Sequence, residues 1–155
     1  MAVSMQQVRA ALDPDEPNYV KAAKDLGPKS LPHLERLVFG EHPLLAAKAT
    51  HLTGLIGGDK AISLLKRAVH SKDVRLRIAA AGATSNLDTR DRSEILQEVI
   101  DDADIGVQKM ALKAAAIGMS DELRSRVEDL STQRGKSFIK LLSGAVLKNK
   151  KGTSL

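Results

Sequence analysis

The side chains able to do chemistry in this chain are few, and their spacing argues against it. Four histidines, His33, His42, His51 and His70, could hold a metal or move a proton, and no cysteine accompanies them. None forms an HExxH or a short His-x-His pair that would aim two ring nitrogens at one ion. His42 and His51 share one helical stretch but are nine residues apart, which is about two and a half turns and sets them on opposite faces. Two fragments resemble phosphate loops. Gly135-Lys136-Ser137 needs a glycine where Leu130 stands, and the stretch from Gly54 to Lys60 carries Asp59 where its second glycine belongs. Neither follows a strand pattern. Asp101, Asp102 and Asp104 fall at an inter-helix turn, where acids beside a helix start are favoured by the dipole, and they lack the spacing and glycine of a calcium loop. No catalytic, metal-binding or cofactor-binding residue is assigned, and the chain reads as non-enzymatic.

Bulk properties narrow the class further. A length of 155 residues with 43% hydrophobic content suits one soluble domain. Phe39, Phe138 and Tyr19 are the only aromatics, so the core must be aliphatic. The absence of cysteine excludes a disulfide framework, thiolate zinc and a thiol nucleophile, and fits a reducing compartment; a cytoplasmic location is expected. The opening MAVSMQQVRAALD has no basic segment followed by an apolar one, and no window approaches 18 uncharged apolar residues, so neither secretion nor a membrane span is expected.

The net charge of +5 is concentrated at one end. Residues 132–155 hold Arg134, Lys136, Lys140, Lys148, Lys150 and Lys151 and no acid, which leaves 18 bases and 19 acids in residues 1–131. Within that body the signs segregate: Lys66, Arg67, Lys72, Arg75 and Arg77 stand against Asp73 alone, while residues 88–104 hold seven acids against Arg90 and Arg92. Such patches are either solvated faces or surfaces suited to another protein's mixed charge.

An internal period of 31 residues organises the chain. Leu34, Leu65 and Leu96 fall in register, as do Val38, Val69 and Ile100, then Ala49, Ala80 and Ala111, then Leu52, Ala83 and Ala114. Each period contains two amphipathic helices, because apolar residues recur at i, i+3 and i+4 in LPHLERLV, AISLLKRAV and SEILQEVI. Turns are expected at GPKSLP, GGDK and LDTRDR, with Asp73 and Asp104 as N-caps of second helices. Extending the period puts Val127, Leu130, Leu142 and Ala145 on the Leu96, Val99, Ala111 and Ala114 positions. Five helix pairs result, over about residues 3–27, 29–57, 60–88, 91–118 and 120–148, forming one domain over 1–148 with a basic flexible tail at 149–155.

The second helix opening Asp73-x-x-Leu76-Arg77-x-x-Ala80-Ala81-x-Ala83 resembles that of HEAT-like repeats, particularly the short bacterial kind of phycobilin-lyase-type subunits. Asp104, Val107, Gln108, Ala111, Leu112 and Ala114 match with glutamine in place of arginine, and His42 to Leu52 matches more loosely. The resemblance implies an all-α, right-handed solenoid in which each second helix is wedged among its neighbours. On that reading the run Ala79-Ala80-Ala81-Gly82-Ala83 is small so that backbones approach closely, with a very close helix contact at Gly82. It further implies that Arg77 joins a ladder to Asp73 or Asp104, or else that second helices line a concave groove contacting a partner through Lys48, His51, Arg77, Gln108, Lys109 and Lys113. The leading function is therefore a scaffold or adaptor binding another protein on that face. The alternatives are nucleic-acid binding through the basic third unit and the C-terminal bases Arg134, Lys136, Lys140, Lys148, Lys150 and Lys151, and a subunit of a chromophore lyase-like complex. Pairing of two copies through terminal units is left open.

Overall fold

The computed structural model describes residues 2–132 and 137–153. Its α-helices are α1 (Met5–Leu12), α2 (Tyr19–Leu26), α3 (Leu31–Val38), α4 (Pro43–Ile56), α5 (Asp59–Ala68), α6 (Val74–Ala83), α7 (Thr89–Leu96), α8 (Ile105–Ala115), α9 (Asp121–Thr132) and α10 (Ser137–Thr153), with single 3-10 turns at Pro28–Ser30 and Thr84–Asn86. The described residues contain no strand, so the protein is all-α. Helix α10 runs past residue 148 and takes in most of the segment expected to be a tail.

Local chemistry fixes the helix starts. Ser4 and Gln7 form a reciprocal capping box at α1, with Gln7 N donating to Ser4 Oγ at 3.1 Å and Ser4 N to Gln7 Oε1 at 2.8 Å. Asn18, Asp73, Asp88 and Asp104 cap α2, α6, α7 and α8 through side-chain oxygens. His42 precedes α4 without capping it; Pro43 sets the first turn there. Gly57 and Gly58, at φ of 66° and 85°, make the turn from α4 into α5.

Packing follows chain order in two layers. On one side α1, α3, α5, α7 and α9 lie side by side in succession, and on the other α2, α4, α6, α8 and α10 do the same. Helices α4, α6, α8 and α10 each also pack on the odd-numbered helix before them. Residues spaced by the 31-residue period are buried together: Leu34 with Leu65 and Leu96, Ala49 with Ala80 and Ala111, Val38 with Val69 and Ile100. The period falters at α10. Ile139, Ser143 and Val146 are buried like Gln108, Leu112 and Ala115, but Leu142 is half-buried and Ala145 exposed, because no described helix covers the face that α10 itself covers on α8.

Of the two helix glycines, Gly54 rather than Gly82 sits against a neighbouring backbone. A Cβ added to Gly54 would stand 2.4 Å from the Ala83 carbonyl oxygen, so α4 touches the end of α6 backbone to backbone. A Cβ on Gly82 would first meet the Met110 Sδ at 3.3 Å, the end of a flexible chain. Arg92, counted above among surface charges, is buried at 4% exposure. Its guanidinium donates to the carbonyls of Thr84 at 3.3 Å, Leu87 at 2.7 Å and Gly118 at 2.8 Å, tying the turn before α7 to the end of the α8 segment. Burial disfavours the charged guanidinium and lowers its pKa. No buried side-chain nitrogen or oxygen among the described residues lacks a hydrogen-bond partner.

Candidate functional site

The odd-numbered layer carries the charges that look most like a binding surface in sequence, and it pairs them internally. Arg67 on α5 meets Glu35 on α3 and lies over the Phe39 ring, 4.6 Å from its centroid. Lys66 reaches Glu94 on α7 at 2.6 Å, and this hydrogen bond holds the Glu94 carboxyl below its usual range. His70 meets Glu98 at 3.3 Å, and Arg126 on α9 meets Asp101 at 2.8 Å. Positive α5 is thus neutralised by its neighbours on both sides.

Arg77 pairs with neither Asp73 nor Asp104. Its Nε and Nη2 donate to the two oxygens of Asp102 at 2.9 and 3.2 Å, and its Nη1 donates to the Ser71 carbonyl at 2.9 Å. Only 17% of the Arg77 side chain and 13% of the Asp102 side chain are exposed, so this link between successive loops is structural. Asp73 is engaged elsewhere: it caps α6 and pairs with Arg75 at 3.1 Å, which lowers its pKa. The three loop acids are likewise employed. Asp101 holds Arg126, Asp102 holds Arg77, and Asp104 caps the Val107 N–H at 3.0 Å.

On the even-numbered layer the 31-residue period sets a single outward stripe. It runs Ala47, Ile78, Lys109, Lys140 in one row, Lys48, Ala79, Met110, Leu141 in the next, and His51, Gly82, Lys113, Gly144 in a third. Its N-terminal half is a groove of about 460 Å³ whose floor is Ala79, Gly82 and Ala83, with walls from Tyr19, Leu44, His51, Ile78 and Met110. His51 stacks edge-on against Tyr19, ring centroids 4.4 Å apart, and burial lowers its pKa. Lys48 closes one end by donating to the carbonyls of Leu12 at 3.1 Å and Pro14 at 2.7 Å, so it fastens α1 to α4.

Of the residues expected in a groove, Lys48 and His51 line it and Lys109 and Lys113 continue its stripe, half-buried and exposed respectively. Gln108 is not on this surface: it is buried at 1% exposure, its amide directed at the Ile100 carbonyl 3.4 Å away, and it cannot touch a ligand without leaving the core. Arg77 is withdrawn by its bond to Asp102. Lys140 and Lys148 are exposed on α10. Arg134 and Lys136 lie outside the described residues, as do the side chains of Lys150 and Lys151. Tyr19, Ala79, Met110 and Leu141 were not assigned to a binding face from sequence, although Ala79, Met110 and Leu141 stand 31, 62 and 93 residues after Lys48.

The other histidines do not gather. His33 Nε2 donates to the Val3 carbonyl at 2.7 Å, and the described residues contain no cluster of three His, Asp or Glu side chains placed to hold a metal. No described helix is long and apolar enough to cross a membrane. Neither a protein-family model nor a curated protein matches the chain.

Proposed function

We propose that the chain is a HEAT-like solenoid of five helix pairs, acting without catalysis as a scaffold or adaptor that binds another protein in the cytoplasm. The solenoid reading is supported by the packing order, in which helices two apart in sequence are neighbours and positions 31 apart are buried together. The single observation that carries the function is the groove over α2, α4, α6 and α8: it is concave, mostly apolar and floored by side chains too small to fill it. The nucleic-acid alternative rests on the third unit and the C-terminal bases; in the third unit Lys66, Arg67, Arg75 and Arg77 are each ion-paired to a carboxylate, leaving little charge there for phosphates.

The test is a tagged capture from nuclease-treated lysate, comparing the native chain with Ala79→Gln, which fills the groove floor, and with Ser63→Gln on the exposed odd-layer surface. A discrete protein retained by the native chain and Ser63→Gln but lost by Ala79→Gln supports this reading. An identical set of proteins on all three baits contradicts it.

A further inference from the structure

Resting on that reading of the groove, we propose that its occupant is an acidic amphipathic helix of the partner protein, its apolar residues seated on Ala79, Gly82 and Met110 and its carboxylates meeting Lys113, Lys140 and Lys148. The stripe is asymmetric. Its α4–α6 half is the apolar groove, and its α8–α10 half is basic. Lys113, Lys140 and Lys148 are exposed and form no ion pair among the described residues. Neither residues 105–120 nor 137–153 contain an acid, so no carboxylate on α8 or α10 is at hand to neutralise them. The contrast with Lys66 and Arg67 of α5, each matched by a carboxylate on a neighbouring helix, marks this half as charge left for an outside partner.

The residues between those lysines select the partner's class. Ile117 and Leu141, 60% and 75% exposed, stand in the same basic half, alternating aliphatic with ammonium groups. An amphipathic helix carrying glutamates beside leucines complements that pattern. The lysines alone would also attract phosphates, but a single-stranded nucleic acid gains its base contacts from aromatic platforms, and the one aromatic here, Tyr19, is covered edge-on by His51. The span from α4 to α10 is three interhelix steps of about 9 Å, roughly 27 Å, which is the length of a helix of about 18 residues. Its acids belong toward the end lying over α10.

The proposal is tested by fluorescence anisotropy of the full chain with three labelled helical peptides of about 18 residues. They share one leucine stripe and differ in carrying glutamate, glutamine or lysine on the polar positions of one half; a single-stranded DNA of similar length is the fourth probe. The glutamate peptide is expected to bind about tenfold more tightly than the glutamine peptide, and to lose that advantage with Lys113→Glu/Lys140→Glu, whose sites are exposed and whose helicity is checked by circular dichroism. Ala79→Gln should weaken both peptides. Equal binding of the glutamate and glutamine peptides, still sensitive to Ala79→Gln, overturns the acidic partner while the groove reading survives. Binding indifferent to Ala79→Gln overturns both. DNA bound more tightly than the glutamate peptide, or no probe bound at all, also overturns the proposal.

Discussion

Two glycines on facing helices should respond in opposite directions to the same substitution. Replacing Gly54 by alanine gains up to about 1 kcal/mol of helix propensity. It also places a methyl 2.4 Å from the Ala83 carbonyl oxygen, nearly 1 Å inside the closest comfortable carbon–oxygen contact of about 3.3 Å, and the obstacle is backbone. Relief requires α4 and α6 to separate, and α6 is held in turn against α8. Overpacking of this kind costs about 1–3 kcal/mol, and the rigid obstacle puts Gly54→Ala at the upper end. The net expectation is a loss of about 2 kcal/mol, or roughly 4–8 °C in Tm. At Gly82 the added methyl meets only the Met110 side chain, Sδ at 3.3 Å and Cγ at 3.5 Å, which a change of rotamer relieves, so Gly82→Ala should be neutral or stabilising by up to about 1 kcal/mol. Urea unfolding of both variants measures the pair. A Gly54→Ala protein as stable as the native chain would refute the backbone contact between α4 and α6 and the argument built on it.

Arg92→Met keeps the bulk but strands the carbonyls of Thr84, Leu87 and Gly118, and should cost about 2–4 kcal/mol in urea unfolding; an unchanged midpoint would show that water already serves these groups. A double-mutant cycle on Arg77→Ala and Asp102→Ala should return a coupling of about 1–2 kcal/mol, since both side chains are largely covered, whereas additivity would deny the link. His51, with its folded pKa below the unfolded value, contributes nothing to pH dependence above the unfolded value near 6.5; as pH falls through that value toward the folded one, the unfolded chain takes up the proton first and stability drops. The loss should therefore be smaller in His51→Gln than in the native chain between about pH 7 and 5, and parallel curves would exclude His51 as its source. Lys48→Met should speed hydrogen exchange in α1 with little change elsewhere, because its ammonium holds the Leu12 and Pro14 carbonyls.

Helical content and core were legible because they depend on local pattern. Leucines three and four apart declare an amphipathic face, and the caps Asp73 and Asp104 are the residues whose side chains bond the first turns of α6 and α8. What the period could not reveal was which small residue carries the backbone contact. Gly82 stands out by its place in an alanine run, whereas Gly54 lies between Thr53 and Leu55 and owes its role to where the end of α6 arrives. Charge misled for a related reason. Counting signs along the chain separates the basic residues 66–77 from the acidic stretch 88–104, yet folding lays Lys66 on Glu94 and His70 on Glu98, and Arg92 leaves the surface for three carbonyls. Gln108 has the spacing of Arg77 but lacks its charge, and its shorter amide stays in the core beside Ile100. Part of the candidate groove was within reach: Lys48 and His51 are seen from sequence, and stepping forward by 31 residues from each arrives at Ala79 and Gly82.

The claim that partners bind the even-numbered layer is tested most directly by site-specific photo-crosslinking in nuclease-treated lysate. A photoreactive phenylalanine analogue would be placed at Lys113 on the stripe and, separately, at Ser63 on the exposed face of α5. One protein is expected to crosslink from Lys113 and not from Ser63, and Ala79→Gln to abolish the adduct. Crosslinks formed from Ser63 alone, or equally from both positions, would contradict it.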